Sequence, residues 1–238
     1  MNSHLKTCAF IFARGGSKGL PGKNILPLAG TPLVGHAVNI AKSMSNIDLV
    51  FVSTDSEEIA KVATDYSALV IERPARLASD TAPEWLAWQH AIDYVVSQYS
   101  EFDCFLSLPA TAPLRQQQDV QKCLQRFSVG DVDAVLTVTE ASRSPWFNMV
   151  KRNPDGTINL VITDDKHKPI RRQDMPICYD LTTVAYACRP KFILEASSLW
   201  DGIVTSIEVP IERAIDIDTS FDFAIARYLM EEWIPSQK

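Results

Sequence analysis

Short apolar runs alternate along this chain with segments whose apolar residues recur every three or four positions. Residues 8–13 form an apolar run too short for a helix and followed by glycines, which predicts a buried strand. Residues 32–44 place Leu33, Val34, Ala37, Val38, Ala41 and Met44 at helical spacing behind a proline. The same reading predicts strands over 49–53, 68–72, 104–108, 134–139, 182–188 and 214–217. Helices are expected over 57–66, 84–98, 117–127 and 221–233, with Asp55 or Ser56 capping the first of these. Strand–helix alternation with nearly continuous apolar strands predicts an α/β fold, a mostly parallel sheet with helices on both faces. Residues 141–180 break the rhythm. They are polar, carry five of the prolines and glycines, and read as hairpins and loops projecting from the sheet.

Composition narrows the picture. A chain of 238 residues, 46% hydrophobic and 22% charged, is long enough for one sizeable core and short for two, so a single domain over 1–238 is expected. No apolar run approaches the ~20 residues that a membrane-spanning helix needs. A formal net charge of −6 argues against general binding to nucleic acid or to an anionic membrane. The five cysteines are odd in number and contain no C-x-x-C, so neither a disulfide framework nor a zinc site is indicated. The four histidines are scattered. No secretory signal is visible in residues 1–6, and the cytoplasm is the expected location.

Four of the nine glycines fall within residues 15–22, directly after the first strand. Arg14, Lys18 and Lys23 add three cations in the same stretch. Glycines let backbone N–H groups approach an anion closely, and interleaved cations neutralise it, so the segment suits a polyphosphate. It is neither a Walker loop nor a dinucleotide fingerprint, because both spacings are absent. Near the other end, Ile215-Asp216-Ile217-Asp218 alternates apolar and acidic. On a strand both carboxylates would share one face, about 6.6 Å apart. Such a pair suits Mg²⁺, which takes one or two carboxylates and completes its shell with phosphate oxygens and water. The same residues also read as a polar strand end with Asp218 capping the helix that follows.

Residues 13–24, with Leu26-Pro27 and Gly30-Thr31-Pro32-Leu33, resemble the CMP-acylneuraminate synthetase family of cytidylyltransferases. So do Ser53-Thr54-Asp55-Ser56, Arg73-Pro74 with residues 77–81, Thr111 with Pro113-Leu114-Arg115, Arg172-Gln173 and residues 215–218, in that order across nearly the whole chain. The resemblance implies a Rossmann-like nucleotidyltransferase sheet and the transfer of CMP from CTP to a nine-carbon 2-keto sugar acid. It implies Arg14, Lys18, Lys23, Asp216 and Asp218 as catalytic residues, with Asp216 and Asp218 holding Mg²⁺. Ala13, Gly15, Ser17, Asn24, Arg73, Ser79 and Thr111 would border the nucleotide and its surroundings. Arg172, Gln173 and Tyr186 would border the acidic sugar, although a core tyrosine explains Tyr186 equally well. A homodimer is implied too, with the projecting 141–180 region of one subunit reaching the other's site. Lys166 and Lys168 read as a solvated hairpin face.

The sequence departs from the family pattern around the sugar. Pro109-Ala110 precedes Thr111, Thr182-Thr183 replaces an Asn-Gly, and Ser144-Pro145-Trp146-Phe147-Asn148 occupies a stretch that often carries a lysine. These changes leave nucleotide transfer in place and move the expected acceptor toward legionaminate- or pseudaminate-type acids. A Kdo-type or sugar 1-phosphate nucleotidyltransferase and a non-catalytic nucleotide-binding regulator are the alternatives.

Overall fold

The structure, a computed structural model, describes residues 5–163, 171 and 175–233. Its core is a seven-stranded sheet. The first strand, β1 (Thr7–Phe12), is followed by a two-stranded ribbon of β2 (Pro27–Leu28) and β3 (Thr31–Pro32). Next come β4 (Leu49–Thr54), β5 (Leu69–Glu72), β6 (Cys104–Ser107) and β7 (Ala134–Glu140). A separate hairpin, β8 (Val150–Arg152) with β9 (Ile158–Leu160), precedes β10 (Tyr179–Cys188) and β11 (Val204–Glu208). The order in the sheet is β11-β7-β10-β6-β1-β4-β5, and only β10 runs against its neighbours.

The period-2 alternation of the strands divides the interior into two layers. On one face Ala9 and Ile11 of β1, Val50 and Val52 of β4 and Leu106 of β6 meet the helices α1 (Leu33–Lys42), α2 (Glu57–Asp65) and α4 (Gln117–Phe127). On the other, Phe10, Phe51 and Phe105 meet α3 (Glu84–Gln98) through Trp88, Ala91, Ile92 and Val95. The short helix α5 (Pro190–Glu195) adds Ile193 to that face, and α6 (Ser220–Tyr228) adds Ala226 to the first. Phe10 lies at the centre of the aromatic layer, 4.5 Å from the Phe105 ring and 5.5 Å from Phe51.

The expected α/β architecture is present, and most predicted elements lie within a residue or two of their observed bounds. The helices over 84–98 and 117–127 coincide with α3 and α4. Ser56, not Asp55, caps α2, its hydroxyl accepting from Ile59 N at 3.4 Å. The expected strand over 214–217 is absent. The sheet releases the chain after Val209, whose N–H donates to Val138 O. Pro210 then starts a turn, and Ile217 N pairs instead with the Thr111 carbonyl at 2.9 Å. The edge strand is β11, which carries only two apolar residues and therefore gave little signal. Residues 164–170 and 172–174, with Lys166, His167, Lys168, Arg172 and Gln173, lie outside the described residues.

Replacing Phe10 with Ala removes a ring enclosed by others, which costs about 3–5 kcal/mol in comparable cores. Chemical denaturation is expected to show that loss as a lower midpoint with an unchanged slope.

Candidate active site

In an open α/β sheet, ligands bind beyond the carboxyl ends of the strands, and the sequence-predicted residues gather there. The glycine-rich segment leaves β1 as an irregular loop. Ala13 is buried at its start and donates its N–H to Ser53 O at 3.0 Å. Gly15 N donates to Asp55 Oδ1 at 2.9 Å, so the residue that does not cap α2 anchors the loop instead. Asn24 closes the loop from the far side, its amide donating to the Arg14 carbonyl at 2.9 Å. Ser17 lies between these ties and faces the same cleft.

The two ends of the chain meet at this loop. Lys23, buried, donates to Asp218 Oδ1 at 2.9 Å. Gly19 passes so close to the Asp218 backbone carbonyl that a Cβ there would collide with it. That approach gives at least one of the clustered glycines its physical reason. Asp218 is not consumed by capping: Thr219 caps α6, in a reciprocal pair with Asp222. Arg14 pairs with Asp80 at 2.6 Å, and Lys18 pairs with the other oxygen of the same carboxylate. Those two cations hold the Asp80 carboxyl below the usual range.

Asp216, two residues before Asp218, is exposed. Desolvation raises its pKa, and repulsion from Asp218 adds to that; the Thr111 and Thr183 hydroxyls and Lys23 oppose it. Ile217 between the two acids is fully buried and Ile215 packs against the core, so the expected alternation survives without a strand.

A cavity of about 330 Å³ opens beside these groups; Lys18, Asp216 and Tyr186 are not among the residues that line it. Arg14, Ser17, Lys23, Asn24, Arg73, Ser79, Thr111 and Asp218 all line it. Arg73 is 6% exposed, donates to Ser53 O at 2.7 Å and lies 5.4 Å above the Phe12 ring. Burial lowers its pKa, while Asp55 and Glu84 counteract that. Tyr186 stands at the border of the cleft and the aromatic layer, 6.0 Å from Trp88. Burial raises its pKa, as do the neighbouring charges of Glu84 and Asp216.

Glu84 is the lining residue that sequence reasoning passed over. It sits in the first turn of α3, accepts from the Trp88 indole N–H at 3.3 Å, and has its pKa raised by desolvation despite Arg73. In the sequence it is only the first residue of an amphipathic helix, with no pattern that marks it out. Only its proximity to Arg73 sets it apart.

The cleft sets a glycine-bent cationic loop against Asp218 at the carboxyl ends of the parallel strands, an arrangement that suits the phosphates of a nucleotide. Comparison with known proteins narrows the class. The family model for cytidylyltransferases matches residues 8–186, and the chain belongs to that family. It is 33% identical over 224 residues to a post-translational flagellin modification protein B of Campylobacter coli, covering 93% of this chain and 94% of that one. It is 31% identical over 222 residues to a CMP-N,N'-diacetyllegionaminic acid synthase of Campylobacter jejuni, covering 92% and 93%. Identity is 29% over 221 residues to an N-acylneuraminate cytidylyltransferase of Streptococcus agalactiae; 92% of this chain is covered, which spans about half (52%) of that protein. The solved structure of CMP:2-keto-3-deoxy-manno-octonic acid synthetase complexed with CTP superimposes with a TM-score of 0.70 at 18% identity, covering 96% of this chain and 99% of that one, which shows a shared fold.

The raised pKa of Asp216 has a sign that can be checked. Below the unfolded-state pKa both folded and unfolded chains carry the proton, and the residue contributes nothing. As pH rises through the folded-state value, the folded chain must ionise a disfavoured carboxyl, and stability falls. Asp216→Asn is therefore expected to melt at a higher temperature than the parent at pH 7, with the gap closing toward pH 3. Thermal melts across that range measure it.

Proposed function

We propose that this chain transfers CMP from CTP to the anomeric hydroxyl of a nine-carbon 2-keto sugar acid of the sialic, legionaminic or pseudaminic type, releasing pyrophosphate. The observation that supports the reading is the Lys23–Asp218 contact, which brings the glycine-rich loop against Asp218, two residues from Asp216. The resemblance of this chain to relatives named for such acids supports the acceptor class.

The residues divide the work by charge. Arg14 and Lys18 rest on Asp80, a solvent-exposed acid whose ion pairs are weakly held. A triphosphate competes for both cations through several oxygens at once. Lys23 stands next along the loop, within reach of the same phosphates. The N–H groups of Ala13, Gly15 and Ser17 are donated to the Ser53 carbonyl, the Asp55 carboxylate and the Gly15 carbonyl, so these residues border the phosphates as the shaped bend of the loop. Asn24 braces that bend through Arg14. Arg73 and Glu84 supply a donor and an acceptor at the far side of the cleft, beside Ser79. A cytosine edge has the complement, an amino donor next to ring acceptors.

Asp216 and Asp218 offer hard oxygen donors and repel each other, which fits a Mg²⁺ ion held by two carboxylates and completed by phosphate and water. When bound, the ion would neutralise phosphate charge and orient the α-phosphate. Bond making and breaking then need chiefly alignment of the acceptor hydroxyl and stabilisation of the departing pyrophosphate by the loop cations. Tyr186 and Thr111 border the acceptor side, with Arg172 and Gln173 expected to grip its carboxylate. Arginine suits that role because its planar fork meets both oxygens.

The projecting region supplies a surface for self-association. Phe147, Met149, Val150, Ile158, Ile177 and Leu181 are all exposed there, more apolar surface than an isolated hairpin needs. We read the chain as a homodimer joined through this region, in the cytoplasm, where its five free cysteines would stay reduced.

Incubation with CTP, Mg²⁺ and a panel of 2-keto sugar acids is expected to release pyrophosphate with at least one nine-carbon acid. Turnover only with an eight-carbon acid or a sugar 1-phosphate would move the acceptor class, and CTP binding without turnover on any acceptor would favour a regulator. In the active reaction, Asp216→Asn is expected to lose about 10³-fold or more in kcat. Sedimentation velocity is expected to give a two-chain species, and a single-chain species would leave the apolar projection unexplained.

A further inference from the structure

Directly behind the acidic pair lies a guanidinium that none of the chemistry above uses. Arg115 follows the 109–114 loop and is 3% exposed. Among the described residues no carboxylate forms an ion pair with it. The nearby Asp119 is fully engaged: Arg213 takes both its oxygens at 2.8 and 2.9 Å, and Gln116 N adds a third bond. One Arg115 nitrogen, Nη2, donates instead to two backbone carbonyls, that of Pro109 and that of Thr183 at 3.2 Å. Its Nε and Nη1 are buried without a hydrogen-bond partner among the described residues. A buried cation left in that condition costs stability and calls for a reason.

The two carbonyls belong to the segments that flank Asp216. The Pro109 carbonyl opens the loop that carries Thr111. Thr183 lies in β10, the one strand that runs against the rest of the sheet. The Thr111 and Thr183 hydroxyls both act on the Asp216 carboxyl, and the Thr111 carbonyl holds Ile217 N at 2.9 Å. The Thr183 hydroxyl is buried without a hydrogen-bond partner among the described residues. These ties run from Arg115 through the 109–111 loop to Ile217, the residue between the two acids, and hold β10 alongside that loop.

The geometry points to Arg115 as a positioning residue that clamps the 109–111 loop to β10 and thereby fixes Asp216 for the metal ion. This inference rests on the reading of Asp216 and Asp218 as the metal pair. Desolvation lowers the Arg115 pKa to about 9, so the clamp keeps its charge at neutral pH, and Asp119 and Asp216 are the carboxylates that support that charge. The guanidinium reaches both carbonyls with one nitrogen and keeps its other two nitrogens buried. Lysine keeps the charge and loses the planar fork.

The test compares the wild-type chain with Arg115→Lys, Arg115→Met and Thr183→Val. Electron paramagnetic resonance reads Mn²⁺ bound in the presence of CTP, and a separate titration reads CTP bound without metal. Partners behind a metal ligand typically govern about 10–100-fold in metal affinity. Both Arg115 variants are expected to weaken Mn²⁺ by about tenfold or more, with metal-free CTP affinity within about twofold of wild type. Thr183→Val, which removes the buried hydroxyl from the β10 residue that Arg115 holds and leaves the guanidinium in place, is expected to weaken Mn²⁺ several-fold. It carries the test if the buried substitutions fail to fold. Folded variants that keep wild-type Mn²⁺ affinity, or that lose CTP and metal affinity in parallel, overturn the clamp. A wild-type chain that binds no Mn²⁺ with CTP overturns the metal-pair reading itself, which separates the two failures.

Discussion

The contact between Lys23 and Asp218, 195 positions apart in sequence, is the constraint on which the cleft depends. It is an ion pair between a buried ammonium and an exposed carboxylate, so its direct contribution to stability is modest. Its importance is geometric. Every other group in the cleft is placed by elements that end near this point: Arg14 by β1, Arg73 by β5, Thr111 by the loop after β6, Asp216 by the segment approaching α6. The close passage of Gly19 against the Asp218 carbonyl leaves that arrangement little slack.

The sheet explains why these ends converge. Strands β1, β4, β5 and β6 run in parallel and deliver their following loops to the same edge. The reversed β10 enters between β6 and β7 and brings Thr183 and Tyr186 to that edge from the opposite direction. Its register shifts between Leu181 and Tyr186, where it passes the cleft. A parallel strand there would have delivered only its terminal loop, and the insertion places side chains from within a strand beside the acids.

Much of this was legible in the residues. Runs such as 8–13 and 49–53 are apolar on both faces because both are covered, and that property survives in sequence. The glycine and lysine clustering of 14–23 and the acid alternation of 216–218 also announced themselves, since neither has a use in a core. What stayed hidden depends on neighbours distant in sequence. The 214–217 stretch alternates like a strand, yet its backbone partner is the Thr111 carbonyl and not a ladder. The strand β11 is an edge with few apolar positions. Glu84 and Arg115 carry no local pattern that separates them from a helix surface and a loop cation. Their roles come from Arg73 in one case and from the Pro109 and Thr183 carbonyls in the other.

The pairing of Arg14 and Lys18 with one carboxylate, Asp80, has a kinetic side. With Lys23 matched to Asp218 as well, the three loop cations project little net field beyond the cleft mouth, and the chain as a whole carries −6. Long-range electrostatic guidance of a polyanion toward the opening is therefore weak. A polyanion that displaces Asp80 and Asp218 from these cations would do so at contact, by exchange of one set of anionic oxygens for another.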